Sequence, residues 1–118
     1  MRFFIPLVTA AVVLLAPAVA DAHAHLDHAN PAVGSTIDTA PQDLTLWFTQ
    51  KLEAAFSGVD VMGPSGASVG AGKAEVSGNT MRIAIKPDGP GAYHVHWHAV
   101  SVDTHKTEGS FIFTVGKH

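Results

Sequence analysis

Cysteine is absent from the 118 residues. That absence removes disulfide frameworks, zinc-thiolate sites and thiol nucleophiles together, and leaves nitrogen and oxygen donors for any metal chemistry. Positive charge is scarce as well. Lysine and arginine together number 7 against 10 acidic residues, they form no run, and the formal net charge is −3, so nothing suggests electrostatic binding to nucleic acid. From residue 23 onward no convincing helical periodicity is found, and there is no internal repeat, low-complexity tract or interdomain linker. Histidine, by contrast, is plentiful: 8 are present, at positions 23, 25, 28, 94, 96, 98, 105 and 118.

The long apolar run is confined to the N-terminus. Arg2 precedes Phe3 to Ala20, and the segment closes on Pro17-Ala18-Val19-Ala20-Asp21-Ala22, with small residues spaced for a signal peptidase. A secretory leader is expected rather than a membrane anchor, because the run is borderline in length and is interrupted by Pro6 and Pro17. Two cuts compete: one after Ala20 releases Asp21 as the first residue, and one after Ala22 releases His23. Cleavage after Ala22 divides the chain into a signal peptide over residues 1–22 and one domain over residues 23–118, with no membrane span left. That length suits a single compact core.

The remaining chain reads as all-β. Asp43 to Phe48 puts Leu44, Leu46 and Phe48 on one face, and Thr80 to Ile85 does the same with Met81, Ile83 and Ile85. Gly58 to Met62 is a shorter candidate, followed by the turn signal Gly63-Pro64-Ser65-Gly66 and a Gly-rich strand from about Ala67 to Val76. Tyr93 to Val100 alternates Tyr93, Val95, Trp97 and Ala99 against His94, His96 and His98, and Ser110 to Val115 turns Phe111, Phe113 and Val115 inward. With an opening strand near His25 to Ala29, about seven strands result, which predicts a small two-sheet β-sandwich with Greek-key connections, immunoglobulin-like in its layering. Pro31, Pro41, Pro64, Pro87 and Pro90 fall between the strands, as a residue unable to donate to a ladder should. Gln50 to Phe56 has helical potential for a turn at most.

Two groups of residues carry chemistry. If the cut falls after Ala22, His23 offers a free α-amine and an imidazole, with His25 beside it. Copper(II) is the natural ion for these donors, because it heads the divalent affinity series and prefers tetragonal nitrogen and oxygen ligands. The plain reading is a solvated chain end. A second geometry competes with a folded site: a histidine at the third mature position binds copper(II) through the amine, intervening backbone amides and its ring, with no help from the fold. The other group is Ser101-Val102-Asp103-Thr104-His105, where an extended chain would present Asp103 and His105 on one face, or an ordinary polar turn would tie Asp103 to nearby backbone amides. His94, His96 and His98 share one strand face, which is read as solvated, with an auxiliary weak metal site as the alternative. Trp97 is expected in the core and Trp47 on an outer face, with His28 and His118 on the surface.

Several segments together resemble the CopC family of periplasmic copper-resistance proteins. These are His23-Ala24-His25-Leu26, Asn30-Pro31-Ala32-Val33-Gly34-Ser35, Leu46-Trp47-Phe48, Phe56-Ser57-Gly58, and the closing run from Gly91 through Asp103-Thr104-His105 with Gly109-Ser110-Phe111. The resemblance spans nearly the whole chain after the leader. It implies a cupredoxin-like, Greek-key β-sandwich in the periplasm, a single copper(II) held by the amine and ring of His23 with Asp103 and His105, and His25 as a further contributor. Family register holds only when His23 is residue one. The methionine-rich copper(I) loop of several members is reduced here to Met62, since Met1 leaves with the leader and Met81 alternates inward, so no copper(I) site is expected. A CopD-like inner-membrane protein is the implied partner, and the chain is expected to be a monomer. The role expected is copper homeostasis and resistance, without catalysis. The competing reading is a polysaccharide-monooxygenase-like copper enzyme, which also uses an N-terminal histidine brace but needs a substrate surface for which this chain has few aromatic residues.

Overall fold

The computed structural model describes residues 24–116. The leader, His23 and His118 lie outside the described residues. Within them the chain forms eight strands: β1 (Leu26–Asn30), β2 (Thr36–Ile37), β3 (Asp43–Phe48), β4 (Gly58–Met62), β5 (Gly70–Ser77), β6 (Thr80–Ile85), β7 (Gly91–Val100) and β8 (Lys106–Val115). They make two four-stranded sheets, in the orders β1-β3-β6-β5 and β2-β8-β7-β4. Only β5–β6 and β7–β8 are consecutive neighbours within a sheet, so elsewhere the chain crosses between layers. This is the predicted all-β sandwich, cupredoxin-like in family terms.

The core lies between the layers, where strand alternation sends one face of each sheet inward. Leu44, Leu46, Phe48, Met81, Ile83 and Ile85 come from the first sheet. Val61, Tyr93, Val95, Trp97, Phe111 and Phe113 come from the second, and all are buried. Phe48 meets Trp97 edge to face, with centroids 5.1 Å apart, and Tyr93 stacks on Phe113 at 5.1 Å. The Tyr93 hydroxyl is satisfied inside: it donates to the Gly89 carbonyl (2.7 Å) and accepts from the Asp88 N–H (3.1 Å). A buried phenol without such partners would carry a desolvation cost.

Two elements differ from the sequence expectation. β2 has only two residues, pairing in parallel with Thr114 and Val115, too short to show any alternation. β8 begins at Lys106 rather than Ser110, because its first inward positions are Thr107 and Gly109 and carry no apolar signal. Gly109 is small for a reason: it pairs with Trp97, and a Cβ there would sit 2.6 Å from Trp97 Cζ2. The single turn expected within Gln50 to Phe56 is present, as a 3₁₀ turn over Ala54–Phe56. Trp47 is half-buried and stacks on the exposed His28 ring at 4.4 Å.

Candidate metal centre

The loop leaving β7 is a closed turn. The Ser101 N–H donates to the His105 carbonyl (3.0 Å), and the Thr104 N–H donates to the Ser101 carbonyl (2.8 Å). Thr104 takes a left-handed φ of 74°, an uncommon conformation for a β-branched residue and one that turns the chain sharply between Asp103 and His105. Of the two readings the sequence left open, extended chain and polar turn, the structure has the turn. They come together across a turn, not by strand alternation. The Asp103 Oδ1 lies 3.3 Å from His105 Nδ1, with both residues exposed.

The turn is fastened from below. Val102 N–H donates to the Lys51 carbonyl (3.1 Å) and Glu53 N–H to the Val100 carbonyl (2.8 Å), and Ser101 bridges to Leu52. Ser101 is 1% exposed, and its hydroxyl donates to Asp103 Oδ1. That bond is the main cause that holds the Asp103 carboxyl below its ordinary value; desolvation opposes it, and His105 lowers it further. A charged oxygen donor thus stands beside an imidazole nitrogen, as a borderline divalent ion requires.

The N-terminal segment is tied to both layers. Ala24 is fully buried. Its carbonyl accepts from Thr107 Oγ1 of β8 (2.6 Å), two residues beyond His105. Next along, the His25 N–H donates to Thr49 Oγ1 (3.0 Å) and the His25 carbonyl accepts from the Thr49 N–H (2.9 Å), at the end of β3. The plain expectation of a frayed chain end therefore does not hold at Ala24 and His25.

The structure pairs Asp103 with His105. His25 is exposed, and among the described residues no three His, Cys, Asp or Glu side chains converge on a point that could hold a metal ion. His23, the remaining predicted ligand, lies outside the described residues. Sequence reasoning gave no role to Ser101, Thr49 or Thr107. The first had a readable signal, a Ser two residues before an Asp in a polar turn; the two threonines act over long range and had none. His94, His96 and His98 project from the outer face of β7, away from the core.

Comparison with known proteins places the chain in a family. The family model described as the CopC domain matches residues 26–116. Protein YobA of Escherichia coli K12 is 40% identical over 98 residues, covering 80% of this chain and 79% of its own. Copper resistance protein C of Pseudomonas syringae pv. tomato is 39% identical over 111 residues, covering 86% and 87%. Among solved structures, PcoC, a methionine-rich copper resistance protein from Escherichia coli, superposes with a TM-score of 0.69 at 33% identity, covering 80% of this chain and all of that one. A domain match over almost every described residue and relatives at this identity leave one assignment: the chain belongs to the CopC family.

Proposed function

We propose that this chain is an exported copper(II)-binding protein of the periplasm that buffers copper or passes it to a CopD-like inner-membrane partner. Residues 1–22 are its signal peptide and residues 23–118 its copper-binding domain. One copper(II) per chain is held by the amine and ring of His23, by Asp103 and His105, and by His25 as a further donor. The role is carriage in copper resistance and homeostasis rather than catalysis. Among the described residues no helix is long and apolar enough to cross a membrane.

The observation that carries this reading is the tie between Ala24 and Thr107, which holds the chain next to position 23 two residues from His105. It supports a folded site built from both ends of the domain over a purely local peptide chelate. The donor chemistry agrees: a depressed carboxylate and an imidazole, with a free amine and a second imidazole, match the nitrogen and oxygen set that copper(II) favours. The Ser101 hydroxyl would orient the Asp103 carboxylate toward a bound copper ion.

The test is copper(II) titration followed by electron paramagnetic resonance, on protein whose first residue is verified as His23. One residue added before His23 should weaken binding roughly tenfold or more, because the amine is then lost as a ligand. Asp103→Ala and His105→Ala should each change the spectrum. Unchanged spectra in both would mean a local peptide chelate and would overturn the assignment of these two ligands.

A further inference from the structure

We propose that His94, His96 and Asp60 form a second, independent site for a borderline divalent cation, on the outer face of the β4–β7–β8 layer. β7 is an inner strand of that layer, between β8 and β4, so its outward histidines stand on a rigid surface with a neighbour on either side. The register places His96 opposite Asp60 of β4 and opposite Ser110 of β8. His94 lies opposite Met62 and Ile112, and His98 opposite Gly58 and Glu108. All three histidines, Asp60 and Glu108 are exposed.

The structure selects a pair among the three imidazoles. The His98 ring lies over Gly58, with Cε1 only 2.7 Å from where a Cβ of that glycine would stand, so this ring is laid against β4 where no side chain opposes it. Among the described residues the side chains of His94 and Asp60 make no hydrogen bond, ion pair or ring contact. His96 has one ion-pair contact, its Nε2 lying 3.7 Å from Glu108 Oε2. Two imidazoles are thereby left on one face, with carboxylates on both flanking strands.

Spacing permits both rings to reach one ion. Residues two apart on a strand face are roughly 6.5–7 Å apart. Two nitrogens bound at about 2.0–2.1 Å to one ion need to approach to about 3 Å, a gap that ordinary rotamer changes of exposed side chains close. Asp60, directly opposite His96, is within roughly 5.5 Å at Cβ and adds a charged oxygen. As placed, the three donors do not converge, so the ion itself must order them. Binding should therefore be weaker than at a site fastened in advance. The strand between His96 and Ser101 spans roughly 17 Å, which keeps this site distinct from Asp103 and His105.

The experiment is titration of copper(II) chloride into the protein, into Asp103→Ala/His105→Ala and into His94→Gln/His96→Gln, read by calorimetry and by paramagnetic broadening of amide signals. The Asp103→Ala/His105→Ala variant should retain a weaker equivalent that broadens residues of β4, β7 and β8 around Asp60 and His96. His94→Gln/His96→Gln should lose that broadening and bind this equivalent at least tenfold more weakly, while Asp60→Asn lowers it less. All substituted side chains are exposed, and amide dispersion verifies folding. Copper broadening around His96 that is unchanged in His94→Gln/His96→Gln, or absent from the parent at millimolar copper, overturns the site. Failure of the N-terminal site is read separately, as a tightest equivalent indifferent to Asp103 and His105.

Discussion

Asp103 is exposed, yet its carboxylate is held in place. A hydroxyl from the buried Ser101 holds one oxygen, and the His105 ring stands 3.3 Å from the same atom. The Ser101 bond is the main reason its pKa is depressed from 3.8. Because the folded value is the lower one, the associated stabilisation is present above the unfolded pKa and is lost as pH falls through the folded pKa. Ser101→Ala should move the Asp103 midpoint back up toward 3.8, as followed by carbon-13 shifts of its carboxyl. If the carboxylate is a copper ligand, the same change should lower copper affinity about 10-fold, the low end for loss of a supporting partner. A midpoint that does not move would mean that the hydroxyl bond does not set the carboxylate's charge state.

At the scale of elements, β7 and β8 form the long hairpin on which both proposed sites depend, since the Asp103–His105 turn is its connection. The hairpin's fit rests on pairing the largest side chain with the smallest: Trp97 lies over Gly109. A methyl group at position 109 would fall inside contact distance of the indole, and a ring packed edge-on against Phe48 has little room to retreat. Gly109→Ala should therefore destabilise the domain by about 1–3 kcal/mol, the usual cost of overpacking, measured as a lower urea midpoint with an unchanged slope. Stability equal to the parent would mean that the hairpin absorbs the methyl group by shifting. The same pairing hid the first half of β8 from the sequence, where a glycine and a threonine carry none of the apolar alternation that Phe111, Phe113 and Val115 show.

For the whole molecule, the described N-terminal residues bond to Thr49 at the end of one layer and to Thr107 in the other. A metal ion held jointly by the chain end and the Asp103–His105 turn would add a crosslink between the layers. Anything bound by the folded state alone raises its stability by mass action, by about 2.7 kcal/mol at a free concentration 100 times the Kd. Copper(II) at that concentration should accordingly raise the Tm by roughly 10–20 °C, as about 4–8 °C per kcal/mol holds for domains of this size. Adding a residue before His23 should abolish most of that shift while leaving the metal-free Tm unchanged. An equal shift in the extended protein would place the stabilising ion elsewhere.

By itself the sequence determined the layer architecture, because strand alternation needs only local spacing: Leu44-Thr45-Leu46-Trp47-Phe48 and Tyr93 to Val100 face the core as their pattern dictates. It also pointed to Asp103 and His105, two residues apart, and the family resemblance it carried is matched by the domain over residues 26–116. Only the tertiary structure decided how that pair meets, through a left-handed Thr104, where the sequence left an extended strand and a polar turn both open. It alone brought Thr107 to Ala24, 83 residues apart in the chain, and set Asp60 opposite His96. Contacts of that kind depend on which strands become neighbours and in what register, and no local pattern encodes either.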